Sequence, residues 1–367
     1  ISHCDLEGGT TARGHTGFLA LVDSIISIES TTFRDIAANA IDAIDAIVSV
    51  ESSTFEDVFE GVHGTDSTVT IVGSSFRRLV GDHDAIDLDG DGDTRSRIVG
   101  CVFEDGIDDG IDVGSASVDV IGNTFRNFAD KAISLDGAGS LGAPSLVRNI
   151  VSSCGTGIAL KDGASVDDAH HNTIVGCRLG VSLFAKDEAA DGGHLVLDST
   201  ILWNNLENVA LDTLSSITIT FCDVGANGAE NEAPVGEGNL ATDPHFVDAD
   251  AAEFSLRPIS PCIEAGRDGT DIGAVPYEGD PPRSFVRGDT NESDRVDISD
   301  AIATLTFLFL GGPAPDCQDL MDADDDGRLN LTDGVYTLEF LFFQGAPIPP
   351  PYPNAGIDPT QDSLPCP

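Results

Sequence analysis

The strongest constraint in this chain is a column of apolar residues that returns about every 24 positions: Leu6, Phe33, Phe55, Phe76, Phe103, Phe125, Val151, Ile174, Ile201 and Val224. A period of that size marks one turn of a repeating coil. Five residues earlier runs a second column, Ile28, Val50, Ile71, Ile98, Val120, Leu146, Ala169, Val196 and Ile219. After the main column comes a third element, seen in Ala40-Ile41, Ala85-Ile86-Asp87-Leu88, Gly110-Ile111-Asp112-Val113, Ala132-Ile133-Ser134-Leu135, Gly157-Ile158-Ala159-Leu160, Gly180-Val181-Ser182-Leu183 and Val209-Ala210-Leu211. Alternation of period two, β-branched residues and Gly, Asp and Asn punctuation predict short strands. Two places before the main column stand Cys4, Thr31, Ser53, Ser74, Cys101, Asn123, Asn149, Asn172, Ser199 and Cys222. A tight bend accepts such small or self-bonding side chains, and three successive asparagines can form an amide ladder. A coil of about ten rungs, each stacked ~4.8 Å from the next, meets these demands.

On these columns, residues 1 to about 277 resemble a right-handed parallel β-helix of the pectin-lyase-like superfamily. The run Thr242-Asp243-Pro244-His245-Phe246-Val247-Asp248 and the segments Leu256-Arg257-Pro258, Ser260-Pro261-Cys262-Ile263 and Asp271-Ile272-Gly273-Ala274 resemble the closing segment of such proteins. Asp108-Asp109-Gly110-Ile111-Asp112-Val113, Asp130-Lys131-Ala132-Ile133-Ser134 and Gly157-Ile158-Ala159-Leu160-Lys161-Asp162-Gly163 resemble the β-helix of large bacterial surface proteins. The resemblance implies the fold more firmly than the function.

Charge narrows the partners. Asp and Glu number 63 against 18 Lys and Arg, a formal charge of -45. A nucleic-acid backbone or an anionic membrane surface would be repelled. Hydrophobic residues make up 41%, enough for a core, so the acidity is no sign of disorder. No apolar run reaches the ~18 residues of a membrane span. The chain opens at Ile1 without Met and reads as a fragment or processed product. Abundant Asp with only three lysines also suits salty water, which explains many of the acids without any function.

Some of the acids form a pattern on the third element. Side chains flanking its inward Ile are expected to face solvent and to stack from rung to rung. One outward column reads Asp42, Asp87, Asp112 and Ser134, and its neighbour Asn39, Asp84, Asp109 and Lys131. Stacked carboxylates repel unless a cation bridges them or protons are retained, and calcium takes several carboxylate oxygens. The three lysines, Lys131, Lys161 and Lys186, fall in successive rungs beside this element. A β-helix polysaccharide lyase needs a cation to acidify the proton beside a uronate carboxylate and a base to remove it. One pectate-lyase lineage is similar in pairing an aspartate calcium cluster with a lysine base. On that resemblance Asp84, Asp87, Asp109 and Asp112 would bind calcium and substrate, with Lys131 or Lys161 as the base. A sugar-binding groove without chemistry, and a structural spacer whose lysines neutralise the ladder, stand beside this reading. The eight histidines show no shared column or metal spacing, and His170-His171 reads as an exposed turn.

After residue 277 the run 278–284 reads as a linker, and residues 285–367 carry two calcium-loop patterns. The first offers Asp289, Asn291, Ser293, Arg295, Asp297 and Asp300; the second Asp322, Asp324, Asp326, Arg328, Asn330 and Asp333. Oxygen side chains at positions 1, 3, 5, 9 and 12, with the arginine carbonyls at position 7, match an EF-hand-type loop. Position 6 is Gly327 in the second loop but Asp294 in the first, where a left-handed backbone suits Asp less well. Apolar helices are predicted over Ile298 to Leu310 and Leu331 to Phe343. This α-helical EF-hand-like domain resembles a dockerin module, especially the planctomycete-like kind ending in Gly356-Ile357-Asp358-Pro359-Thr360-Gln361-Asp362-Ser363-Leu364-Pro365-Cys366. The resemblance implies calcium (Ca2+) as cofactor and a cohesin-like protein as partner; a calcium-stabilised cap without partner is the alternative. Cys317 and Cys366 can staple the module, and Cys154 and Cys177 can pair or simply stack. Cys4, Cys101 and Cys222 are expected as buried bend residues. Calcium loops and disulfides point to an extracellular or cell-surface location. The expected protein is all-β with a small helical C-terminal domain, binding or acting on acidic polysaccharide, or else a structural surface protein.

Overall fold

The computed structural model describes residues 1–8, 18–137, 139–186, 191–225, 236–279 and 283–360, with Leu364 and Cys366. Asp280, Pro281 and Pro282 of the expected linker lie outside the described residues, as do His15, Gln361, Asp362, Ser363 and Pro365. Contacts divide the chain into two compact units, Ile1–Leu256 with Pro261–Pro276, and Arg257–Ser260 with Tyr277–Pro367. Arg257–Ser260, expected in the closing segment of the coil, thus groups with the second unit.

The first unit is a parallel β-solenoid with three faces. The first face carries the main column, and its register runs Leu6, Phe33, Phe55, Phe76, Phe103, Phe125, Val151 and Ile174, each opposite the next. The second face carries the third element, from Leu19 and Ile41 through Val62, Ile86, Ile111, Ile133, Ile158 and Val181 to Val209. Strands Thr32–Ile44 and Thr54–Thr65 run unbroken from the first face onto the second, joining them in one sheet. The third face is a separate nine-stranded sheet. Ten residues on the main column bound about nine turns, one fewer than the rungs counted from sequence.

The core is built like on like. Phe33, Phe55, Phe76, Phe103 and Phe125 stack with ring centroids 4.5–4.9 Å apart and planes within 8°, and all five are fully buried. At the bend, each small polar side chain accepts a hydrogen bond from the backbone N–H of the preceding rung. Thr31 N donates to Ser53 Oγ, Ser53 N to Ser74 Oγ and Cys101 N to Asn123 Oδ1. The expected amide ladder is present, with Asn123 Nδ2 to Asn149 Oδ1 and Asn149 Nδ2 to Asn172 Oδ1, both 3.1 Å. Without these acceptors the buried N–H groups would lack partners, at a cost of about 1–3 kcal/mol each.

One rung differs from the expected register. Ile174 pairs with Leu202, not Ile201, and Ala169 with Leu197, not Val196. The bend residue of that rung is then Thr200, whose Oγ1 accepts from Asn172 N. Ser199 occupies the position before it, where the backbone is left-handed in every rung: Ser30, Ser52, Gly73, Gly100, Gly122, Arg148, His171, Ser199 and Phe221 all have positive φ. The slip begins at an irregularity between Val166 and Ala169. A one-residue shift exchanges the inward and outward sets, which is why Leu197 is buried while Val196 is only half-buried. Cys101 and Cys222 are buried bend residues, but Cys4, in the first rung, is exposed. Cys154 and Cys177 are free thiols and do not form a disulfide.

In the second unit, helix α1 (Ile298–Leu310) and helix α2 (Leu331–Phe342) pack together. Each opens with a reciprocal capping box, Asp297 with Asp300 and Asn330 with Asp333. Gly311, at φ 71°, ends α1 in the left-handed conformation. A disulfide joins Cys317 and Cys366. The fully buried Arg287 reaches Asp319 at 3.3 Å, Asp325 at 2.9 Å and Asp358 at 2.6 Å, and it also donates to the Asp322 carbonyl. No helix among the described residues is long and apolar enough to cross a membrane.

Phe103→Ala should cost the solenoid ~3–5 kcal/mol, since its ring lies between two others in a closed column. The same loss is expected with and without a chelator in denaturant unfolding, because no contact of that column uses a cation.

Candidate functional site

The acids that the sequence aligns do line the outer side of the second face, but with members that the repeat did not reveal. The outward column reads Ala20, Asp42, His63, Asp87, Asp112, Ser134, Ala159, Ser182 and Ala210. His63 is thus a member of the acidic column, which the ladder read from the sequence left out. It sits on the strand Thr54–Thr65, whose Gly64 stands where the other rungs have Ala, Val or Leu. In the neighbouring column Asn39 pairs with Glu60, another unforeseen member.

Asp84 and Asp109 hold the rungs together while facing outward. Asp84 Oδ1 accepts from Asp109 N at 2.9 Å, and Asp109 Oδ1 accepts from Lys131 N at 2.9 Å. Burial, reinforced by Asp109, Asp108 and Asp112, pushes the Asp84 carboxyl up to about 8. Burial likewise raises Asp109 to about 6 although Lys131 pulls it down. Asp87 is raised by burial and by Asp89 to about 6. Glu60 is raised by burial to about 7, and its Oε1 is buried with no hydrogen-bond partner.

The four acids Asp84, Asp87, Asp109 and Asp112 do not form one ligand set. Among the described residues, metal-capable atoms of this face lie within 4.8 Å of one another in two groups, Asp84 with Asp108 and Asp109, and His63 with Asp87 and Asp89. Asp112 lies apart from both groups and pairs with Lys161, whose Nζ is 3.3 Å from its Oδ1.

The lysines are all engaged. Lys131 Nζ lies 3.1 Å from Asp109 Oδ1 and also bonds Asp130. Burial works against its ammonium, but the bonds to Asp130 and Asp109 outweigh burial and raise it. Lys161 is outward by register yet only 4% exposed, because it lies along the face and reaches back two rungs to Asp112. The expectation that its side chain projects into solvent is therefore corrected. Lys186 bonds Asp136.

In the second unit the two loops differ. Asp322, Asp324 and Asp326 bring carboxylate oxygens within 4.8 Å of one another, and Asp324 Oδ1 is buried without a partner. Asp333, at position 12, is raised by burial and by Asp322 and Asp324. Asp322 accepts from Asp326 N and Gly327 N, and Asp333 from Ala323 N and Asn330 N, while Asp324 Oδ1 stays open; several carboxylates in one loop with an open oxygen suit a hard dication. The first loop makes the same backbone bonds, Asp289 accepting from Ser293 N and Asp294 N, and Asp300 from Asn291 N and Asp297 N. What differs is positions 3 and 5, which are Asn291 and Ser293 in place of Asp324 and Asp326, so the first loop offers a cation fewer carboxylates. Asp297 is drawn to Arg295 and Ser299, and Asn291 Nδ2 to Ser299 Oγ. Asp294 does adopt the left-handed backbone, at φ 64°, as Gly327 does at 73°. The position-7 carbonyls of Arg295 and Arg328 accept from Ser293 Oγ and Asn330 Nδ2.

The raised Asp84 has a definite pH signature. Its ordinary value is 3.8, so between about 4 and about 8 the folded chain holds a proton that the unfolded chain has lost. Stability from this group therefore falls as pH rises through that window. Asp84→Asn keeps the acceptor for Asp109 N but cannot ionise. In chelator its melting temperature should match the wild type near pH 4 and exceed it near pH 9; equal curves at both ends would contradict the buried-carboxyl account.

Residues 16–189 match the family model described as a right handed beta helix region, while no curated protein matches the chain. Together with the rung-to-rung register, that match makes the repeat-bearing part of this chain a right-handed parallel β-solenoid of about nine turns.

Proposed function

We propose that the solenoid binds acidic polysaccharide on its second face, through calcium held by Asp84, Asp108 and Asp109. The observation that carries this reading is the Asp84 group itself: three carboxylates on adjacent rungs, one pushed up to about 8, with Lys131 on the margin already paired to Asp109. Calcium there would supply the charge that a uronate carboxylate needs in order to approach so acidic a surface. The match to a right handed beta helix region agrees with a polysaccharide-related role.

Binding is favoured over lyase chemistry. A base that takes the uronate proton must be neutral, whereas the Lys131 ammonium is stabilised by two carboxylates. Lys161, the other candidate base, is too covered to meet a polymer. Asp87 and Asp112 are engaged elsewhere on the face, so the calcium role falls to Asp84, Asp108 and Asp109, and the buried Asp109 acts through the ion and not on the polymer directly.

The second unit is, in this proposal, a calcium-dependent dockerin-like attachment module of a protein that works outside the cell. The convergence of Asp322, Asp324 and Asp326 supports calcium in the second loop. Ile302, Phe309, Leu310, Phe342 and Phe343, all exposed, offer α1 and α2 an apolar surface for a cohesin-like partner. The Cys317–Cys366 disulfide accords with an oxidising compartment.

Two measurements test these proposals. Immobilised pectate, alginate and sulfated uronans should retain the protein in calcium and release it in chelator, without forming unsaturated products that absorb in the ultraviolet. Asp109→Asn should weaken retention about tenfold or more; product absorbance that Lys131→Ala abolishes would restore the lyase reading, and no retention on any polymer would remove both. Separately, calcium should raise the melting temperature of the second unit, because its binding energy adds to folding energy. Asp322→Ala should lose more of that rise than Asp289→Ala, and a rise unaffected by either variant would place the calcium elsewhere.

A further inference from the structure

We propose that His63, Asp87 and Asp89 form a site for a divalent transition-metal cation of the zinc class, with Asp42 holding the imidazole in place. The site is independent of the polysaccharide proposal and uses none of the Asp84, Asp108 and Asp109 oxygens.

The argument begins with the two ring nitrogens of His63. Nδ1 donates to Asp42 Oδ1 at 2.9 Å, which fixes both the ring plane and the tautomer. Nε2 is thereby left as the atom with a free lone pair, and it faces the next rung, where Asp87 Oδ2 lies 3.9 Å away. Asp89 completes a set whose ligand atoms all lie within 4.8 Å of one another. A carboxylate behind a histidine that itself faces further carboxylates is the arrangement by which proteins orient an imidazole toward a metal. The solenoid produces it by register, because Asp42, His63 and Asp87 are consecutive members of one outward column. Asp89 stands two residues along the same strand as Asp87, on the same side.

A second observation points to the same place. Glu60 is 5% exposed, and its Oε1 has no hydrogen-bond partner. Its other oxygen lies 3.8 Å from His83 Nδ1, and the charges that bear on its carboxyl are those of His63, Asp87 and Asp42. A buried acceptor left open beside three potential ligands is the kind of deficit that a water carried by a bound ion would meet. The imidazole decides the class of ion. Calcium and magnesium take oxygen ligands, whereas one nitrogen with two carboxylates suits zinc, cobalt or nickel.

The test uses the full chain, stripped with chelator and then titrated with zinc chloride in saturating calcium, so that sites built of oxygens alone are filled. One zinc should bind with an affinity that excess calcium does not displace. His63→Ala should weaken it by about tenfold or more, and Asp42→Asn, which keeps the ring but removes its charged acceptor, should weaken it by about tenfold. Circular dichroism checks that both variants keep the strand signal. With cobalt in place of zinc, the visible absorption of a nitrogen-ligated ion should appear in the wild type and vanish in His63→Ala. Zinc affinity indifferent to both variants, or abolished by calcium, overturns the assignment.

Discussion

Parallel strands in register place each residue over its counterpart in the next turn, and everything in the first unit follows from that. On the inner side the rule is favourable, since Phe over Phe at about 4.7 Å buries flat rings against one another with no mismatch of volume. At the bends it is favourable again, because a Ser, Thr or Asn repeated at one place offers an acceptor to each N–H of the neighbouring rung. The outer side obeys the same geometry with the opposite sign. Asp over Asp sets like charges a rung apart, and the backbone cannot move them away without losing the core that fixes their register.

The second face shows how the chain deals with that cost. Some carboxyls retain protons, as Asp84 does; some accept backbone N–H bonds, as Asp84 and Asp109 do; some take an ammonium, as Asp109 and Asp112 do. The three lysines are consumed by this neutralisation, which is why they cluster here and why none resembles a free base. Where a histidine replaces one acid in the column, at His63, a like-charge contact gives way to a hydrogen bond, since its Nδ1 donates to Asp42. A surface with partly compensated negative charge is suited to cations.

The columns were legible in the sequence because they repeat and because the side chains that fill them are of one kind. Legibility failed where a single rung departed. Ile201 and Leu202 are both apolar, so nothing in the pattern chooses between them; the left-handed residue at Ser199 does, and serine carries no signal as plain as glycine in that place. His63 and Glu60 were missed because their rung has Gly64 where the other rungs have Ala, Val or Leu, which broke the apolar alternation that marks the element. The loops that lead into α1 and α2 were readable from spacing, and so were α1 and its glycine cap. Arg287 was not, since its partners Asp319, Asp325 and Asp358 come from three separate stretches of chain that no local motif connects.

The Cys317–Cys366 disulfide has a mechanical meaning. It spans 49 residues that include the second loop and α2. Tension applied beyond Cys366 would pass through the sulfurs directly to Cys317, and the intervening segment would carry none of it. A pull from that side would thus leave Asp322, Asp324 and Asp326 at their native spacing, with the load borne by covalent bonds and delivered to the chain between α1 and Cys317.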